Sequence, residues 1–128
     1  IKAFHRTPLR VFRSVMEIEK AAAGDVTTLK LTGEIDLHAS PALRTELRAC
    51  AEAKAKVLLV DFTGVEYIDS SGLATFIEYL REANGHGGRI ALYGLKKKVR
   101  TIFDLVRLNE LFTITDSAEE AQAALAAK

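Results

Sequence analysis

The segment Asp69-Ser70-Ser71-Gly72 places two adjacent serine hydroxyls beside a carboxylate. These residue types at this spacing could form a reactive or modifiable site. A serine hydroxyl can attack an electrophile, cap a helix or accept a phosphoryl group. An apolar run at 57–62 precedes the four residues, and after them apolar residues recur at the spacing of one buried helical face. The pattern predicts a buried strand, a short loop and a helix whose first turn carries the serines.

The N-terminus of this predicted helix supports two roles for these residues. Its first backbone N–H groups lack partners and carry a partial positive charge, which suits a phosphate on Ser71. The ordinary alternative is that Asp69 or Ser70 only caps the helix. A phosphate brings about −1.5 to −2 charges, and at about 5 Å each like-charge pair costs on the order of 3 kcal/mol before screening. Modification of Ser71 is therefore expected to change binding more than folding.

The sequence does not supply the other groups that catalysis by these serines would require. A nucleophilic serine needs a base, and the histidines are His5, His38 and His86, with no Gly-x-Ser-x-Gly turn around either serine. His38 precedes the first predicted helix, so a contact with Ser71 stays open. There is no Gly-x-Gly-x-x-Gly or phosphate-binding loop, and the histidines are scattered. The sequence predicts no enzyme, no catalytic residue, no cofactor and no metal site.

Composition restricts the class of partner. The 128 residues fit one domain, and 48% apolar with 27% charged residues is typical of a globular protein. A net charge of +1 predicts no direct nucleic-acid or membrane partner, and no apolar run approaches the roughly 20 residues of a membrane helix. The single Cys50 excludes an internal disulfide. These features favour the cytoplasm and leave the oligomeric state open.

The order of predicted elements indicates an α/β fold. Residues 1–14 are basic around Thr7-Pro8 and read as a tail or linker, so the domain is expected over 15–128. A hairpin turns at Gly24-Asp25, and helices then alternate with strands, the first helix opening with Ser40 as N-cap and Pro41 as first residue. We expect a single domain with a mostly parallel four- or five-stranded sheet, an N-terminal antiparallel hairpin and about four flanking helices.

Several segments resemble the STAS domain family, specifically the bacterial anti-sigma factor antagonists. They are Gly33-Glu34-Ile35-Asp36-Leu37 with Pro41 and Leu43, Val60-Asp61-Phe62 with Tyr67-Ile68-Asp69-Ser70-Ser71-Gly72-Leu73, and Val99, Ile102, Phe103 and Leu105 with Leu108, Leu111, Phe112 and Ile114. The resemblance covers about residues 15–127, and the Asp-Ser-Ser-Gly element is its most specific part.

The resemblance implies a STAS-like fold and a binding function without catalysis. In such antagonists an anti-sigma factor that is itself a serine kinase phosphorylates the second serine of the element, which is Ser71 here. The unphosphorylated antagonist binds that kinase and frees a sigma factor, and a serine phosphatase resets the cycle. The family's acidic residue near this site corresponds to Asp36. The alternative is a STAS scaffold or accessory subunit of another signalling complex or transporter, without a phosphorylation switch.

The predicted partner-binding surface follows from these positions. It comprises Asp36, His38, Ser40, Asp69, Ser70, Ser71, Gly72 and Leu73. Ser71 is the expected phosphorylation site because the family position matches it and because Ser70 is better placed to cap the helix. Gly72 has no side chain, which is expected to let a kinase approach the backbone closely.

Overall fold

The structure, a computed structural model, describes the backbone of residues 3–11 and 14–127 and the side chains of residues 16–127. The strands are β1 (Ala3–Val11), β2 (Ser14–Ala23), β3 (Val26–Ile35), β4 (Val57–Ile68), β5 (Arg89–Tyr93) and β6 (Thr113–Thr115). The α-helices are α1 (Ser40–Glu52), α2 (Ser70–Gly85), α3 (Lys97–Leu105) and α4 (Ala118–Ala126), and a short 3-10 helix covers Leu108–Glu110.

The six strands of the described part form one mixed sheet in the order β1-β2-β3-β4-β5-β6. The first three strands pair antiparallel, and β3 to β6 pair parallel. This confirms the predicted α/β class with its N-terminal hairpin, its mainly parallel remainder and its four flanking helices. The sheet has one strand more than the largest predicted number.

The additional strand is β1, which lies where the sequence predicted a tail or linker over residues 1–14. Ala3–Val11 pair along their whole length with β2, from Ala3 opposite Ala22 to Val11 opposite Ser14. A strand at the edge of a sheet tolerates proline and basic side chains, and both obscure the strand pattern in this stretch. Residues 1, 2, 12 and 13 of the predicted tail lie outside the described residues, and the domain boundary at residue 15 stays a prediction.

The helices pack on both faces of the sheet. Consecutive parallel strands are neighbours, so right-handed crossovers carry α1, α2 and α3 to the same face. There their apolar residues join Leu58, Val60 and Phe62 in the main core. On the opposite face α4 packs Ala121 and Leu125 on the alternate residues of β4 and β5.

An aromatic cluster fixes α2 and α3 against β4. The ring of Phe62 lies 5.5 Å from that of Phe76 on α2 and 6.0 Å from that of Phe103 on α3, measured between centroids. Phe112 meets Phe103 edge-on at 6.3 Å, and all four rings are buried. The packing orients α2 so that its first turn stands at the carboxyl edge of the parallel strands. No helix in the described residues is long and apolar enough to cross a bilayer.

Candidate functional site

Asp69 links the end of β4 to the start of α2 and caps that helix. Its backbone is extended, with φ −108° and ψ −174°. Its Oδ1 atom accepts hydrogen bonds from the backbone N–H of Ser71 at 2.9 Å and of Gly72 at 3.2 Å. Of the two cap candidates left open by the sequence, Asp69 is therefore the cap, and the assignment to Ser70 is wrong because Ser70 is already the first residue of α2.

The same carboxylate oxygen also receives the hydroxyl of Ser71. Ser71 Oγ lies 2.6 Å from Asp69 Oδ1 and donates its proton to it, a length typical of a hydrogen bond to an ionised oxygen. Partial burial opposes ionisation of Asp69, but hydrogen bonds from the Ser71 hydroxyl and from the backbone N–H groups of Gly72, Ser71 and Leu37 outweigh it and hold the pKa below its ordinary value. Ser71 is thus paired with a charged group.

The loop from β3 to α1 lies beside this cap. Ile35 pairs with Ile68 across the parallel strands, and the backbone N–H of Asp69 donates to the carbonyl of Ile35 at 3.1 Å. The next residue, Asp36, accepts from the backbone N–H of His38 and of Ala39, both at 3.0 Å. Because neighbouring strands are about 4.8 Å apart, two acidic loops stand side by side at the carboxyl edge of the sheet.

The predicted cap of α1 is wrong for a related reason. Ala39 occupies the N-cap position without a side-chain hydrogen bond, and Ser40 is the first helical residue. The Asp36 carboxylate already organises the loop, and the Asp36 carbonyl accepts from the backbone N–H of Ala39 and Ser40. Ser40 is 3% exposed, which places it beneath the surface.

Gly72 permits close packing of α2 on the sheet. A Cβ atom at this position would lie 2.7 Å from Ile35 Cγ2, 2.8 Å from Ile68 Cγ1 and 3.2 Å from the Ile35 carbonyl oxygen. Real Cβ atoms do not approach other atoms so closely, so only glycine fits without a shift of the helix. The residue is buried, so internal packing requires a glycine here, and the access for a kinase that the sequence suggested stays a prediction.

The residues of the predicted surface differ in exposure and fall into three groups. His38 and Ser70 are exposed, Asp36, Asp69 and Ser71 are half-buried, and Ser40, Gly72 and Leu73 are buried. Two apolar side chains of the same two loop-and-strand segments, which the predicted surface did not include, are also exposed: Leu37 at 70% and Tyr67 at 45%. Leu37 could have been added to the predicted surface from the sequence, because it is an apolar residue in a loop.

No hydrogen bond joins the His38 side chain to Ser71 among the described residues, so the open possibility of a serine–histidine pair has no support there. The described residues also hold no group of three or more histidine, cysteine, aspartate or glutamate side chains positioned to bind a metal ion. The side chain of His5 lies outside the described side chains.

A polar chain missed by sequence reasoning leads from Ser71 to α1. The hydroxyl of Thr75, one turn later on α2, donates to the carbonyl of Ser71 at 2.8 Å. Arg44 of α1 reaches Thr75 Oγ1 with Nη2 at 3.4 Å and Glu78 Oε1 with Nε at 3.1 Å. Arg48 approaches the same Glu78 oxygen at 3.8 Å. The i, i+4 spacing of Ser71 and Thr75 was visible, whereas their contact with Arg44 depends on how α1 and α2 pack.

Comparisons with known proteins assign the chain to a family. The family model described as the STAS domain matches residues 17–121. The chain belongs to the STAS domain family. The anti-sigma-B factor antagonist of Bacillus subtilis is 31% identical over 91 residues, which cover 71% of this chain and 83% of that protein.

Solved STAS structures share the fold. An anti-sigma factor antagonist from Mycobacterium paratuberculosis superposes with a TM-score of 0.75 at 21% identity, covering 94% of this chain and 93% of that one. The Bacillus cell fate determinant SpoIIAA in its phosphorylated form superposes with a TM-score of 0.62 at 22% identity, covering 96% of this chain and 99% of the other.

Proposed function

We propose that this STAS domain is a binding module switched by phosphorylation, that Ser71 is the phosphoacceptor, and that its partner is an anti-sigma factor with serine kinase activity. The unphosphorylated chain binds the anti-sigma factor in the cytoplasm and thereby releases a sigma factor for transcription. The kinase transfers the γ-phosphoryl group of ATP to Ser71 Oγ, and ADP and the hydroxyl proton leave. A serine phosphatase hydrolyses the phosphate and restores the binding form.

The observation that carries this proposal is the short contact between Ser71 Oγ and Asp69 Oδ1 at 2.6 Å. Phosphorylation removes the proton that makes this contact attractive and adds about −1.5 to −2 charges. The Ser71 side chain must then turn away from Asp69, while Asp69 keeps its hydrogen bonds to the backbone of α2. The modification therefore changes the surface and leaves the helix capped.

Magnitudes indicate that this change is sufficient to dissociate a partner. At about 5 Å and an effective dielectric constant near 20, a phosphate charge and one carboxylate that a bound partner places beside it repel by on the order of 3 kcal/mol before screening. Asp69 and Asp36 both border the site. Since about 1.4 kcal/mol is tenfold in affinity, a partner that places acidic or apolar groups here is released.

The relatives support the same proposal. The Bacillus subtilis relative is named an anti-sigma-B factor antagonist, and SpoIIAA, which has the same fold, has been solved in a phosphorylated form. The exposed part of the proposed interface comprises His38 and Ser70, with Leu37 as an apolar contact and the half-buried Asp36, Asp69 and Ser71 between them. Ser40, Gly72 and Leu73 support this surface from below.

The test is a phosphorylation assay with the cognate anti-sigma factor, identified by copurification with the chain. The kinase and ATP should place one phosphate on Ser71, mapped by mass spectrometry of tryptic fragments. Ser71→Ala should fold, bind the kinase and stay unmodified, whereas Ser70→Ala should be modified like the wild type. Phosphate on Ser70 would contradict the assignment to Ser71, and phosphate on neither serine would favour a STAS scaffold without a phosphorylation switch.

A further inference from the structure

We propose that Arg44 is the counter-charge for a phosphate on Ser71, turning from Glu78 to the phosphate when Ser71 is modified. The inference rests on the proposed function only in taking Ser71 as the modified residue. It assigns a role to the polar chain between α1 and α2 in addition to its contacts between the two packed helices.

A phosphate on Ser71 needs a cation from elsewhere because Asp69 already accepts from two of the backbone N–H groups at the N-terminus of α2. Anions at such an end ordinarily bind its free backbone N–H groups. Here Asp69 Oδ1 accepts from the N–H of Ser71 and from that of Gly72. The phosphate therefore meets a carboxylate in the position where it would otherwise find donors.

Arg44 is placed to reach the phosphate. Its Nη2 atom lies 3.4 Å from Thr75 Oγ1, which lies 2.8 Å from the carbonyl oxygen of Ser71. One hydroxyl thus separates the guanidinium from the backbone of the modified residue. Helices α1 and α2 follow the parallel strands β3 and β4, so both begin at the same edge of the sheet. Side chains lean toward the N-terminus of their helix, which for Arg44 is the end at which Ser71 lies.

Turning Arg44 away leaves no carboxylate without a partner. Glu78 Oε1 is held by Arg44 Nε at 3.1 Å and also approached by Arg48 Nη2 at 3.8 Å. Arg48 can close on Glu78 when Arg44 leaves. A guanidinium fork binds the three oxygens of a phosphate more favourably than one carboxylate oxygen, since a phosphate carries more charge and accepts two parallel hydrogen bonds.

The two arginines of α1 supply a matched pair of variants. Both contact Glu78, but only Arg44 touches Thr75, and the side chain of Arg48 is 60% exposed against 32% for Arg44. Arg44→Gln and Arg48→Gln each remove one charge from the same helix face. Only the first removes the charge proposed to meet the phosphate.

The experiment incorporates phosphoserine at position 71 during synthesis, so that no kinase is required, and follows the phosphate by ³¹P NMR between pH 4 and 8. A cation beside a phosphate favours its dianion. The titration midpoint in the wild type should therefore lie below that of Arg44→Gln by at least about 0.6 pH unit, the value that Coulomb's law gives for unit charges about 5 Å apart in water, and by more at the effective dielectric constant near 20 of a protein surface. Arg48→Gln should move the midpoint less than Arg44→Gln does, because Arg48 pairs with Glu78 and not with the phosphate. Asp36, Asp69 and His38 are common to all three proteins, so their effects on the midpoint cancel.

A second measurement covers the case in which Arg44→Gln does not fold. In the wild type the ¹⁵N–¹H resonance of Arg44 Nε should move on phosphorylation while the exposed Arg48 moves less. Equal midpoints in the wild type and Arg44→Gln, or an unmoved Arg44 resonance, would overturn the inference. Neither result bears on whether a kinase modifies Ser71 or whether a partner is released, so a failure of the proposed function is recognised separately.

Discussion

The Asp69 carboxylate should stabilise the fold in two ways, as the N-cap of α2 and as a negative charge at the helix N-terminus. Two substitutions of Asp69 should separate these two contributions to the free energy of unfolding. Asp69→Ala deletes the acceptor of the Ser71 N–H, the Gly72 N–H and the Ser71 hydroxyl. Loss of an N-cap costs about 1 kcal/mol, and loss of a negative charge at a helix N-terminus costs about 0.3–1 kcal/mol more. We expect the free energy of unfolding to fall by about 1.5 kcal/mol.

Asp69→Asn keeps an acceptor oxygen and loses only the charge. Asparagine and aspartate are comparable caps, so this variant should lose only about 0.5 kcal/mol at pH 7. Urea unfolding of the two variants and the wild type measures the difference. Ser117→Ala is the control, because Ser117 caps α4 far from the site: its Oγ accepts from the Glu120 N–H at 3.1 Å. The loss of unfolding free energy in this variant measures what an uncharged N-cap contributes in this protein.

The pH dependence gives the sign of the charge contribution. Partial burial opposes ionisation, but the hydrogen bonds hold the folded-state pKa of Asp69 below its ordinary value of 3.8. The ionised form therefore adds stability that is fully present above about pH 4 and is lost as the pH falls through the folded-state pKa. The stability advantage of the wild type over Asp69→Asn should shrink below pH 4. An Asp69→Ala protein as stable as the wild type at pH 7 would refute the reasoning.

Three further substitutions test separate features of the structure. Gly72→Ala should destabilise by about 1 kcal/mol or more in urea unfolding, because overpacking against Ile35 and Ile68 outweighs the helix propensity of alanine; a gain in stability would contradict the packing. Ser70→Ala should change stability by less than about 0.5 kcal/mol, since Ser70 does not cap α2. Tyr79→Phe should raise stability by about 1 kcal/mol, because the buried Tyr79 hydroxyl has no hydrogen-bond partner among the described residues, and a loss of stability would reveal one.

The fold was largely predictable because its elements are long and strongly periodic. The apolar run of β4 and the helical spacing after it indicate a buried strand and an amphipathic helix, and the structure has both. The sequence favoured Ser70 over Asp69 as the cap and was wrong, because aspartate and serine serve almost equally well at that position and residue type alone does not distinguish them. The choice depends on where the chain leaves the sheet, which is set by the pairing of Ile35 with Ile68.

Features that depend on contacts between elements were not predictable. Gly72 suggests an open backbone in sequence, yet the approach of Ile35 and Ile68 shows that it is an internal packing position. The contact of Arg44 with Thr75 requires the relative placement of two helices. Strand β1 was not predicted because its side chains show no strand pattern. Its backbone pairs with β2, and this pairing does not depend on the side-chain types.

Partner affinity as a function of the phosphate on Ser71 tests the central claim most directly. Isothermal titration calorimetry would compare the chain with serine and with phosphoserine at position 71 against the same purified anti-sigma factor, after circular dichroism has established that both are folded alike. Repulsion of on the order of 3 kcal/mol between the phosphate and one acidic group of the bound anti-sigma factor predicts binding weaker by about 100-fold for the phosphorylated chain. Equal affinity of the two forms would contradict a phosphorylation switch at Ser71.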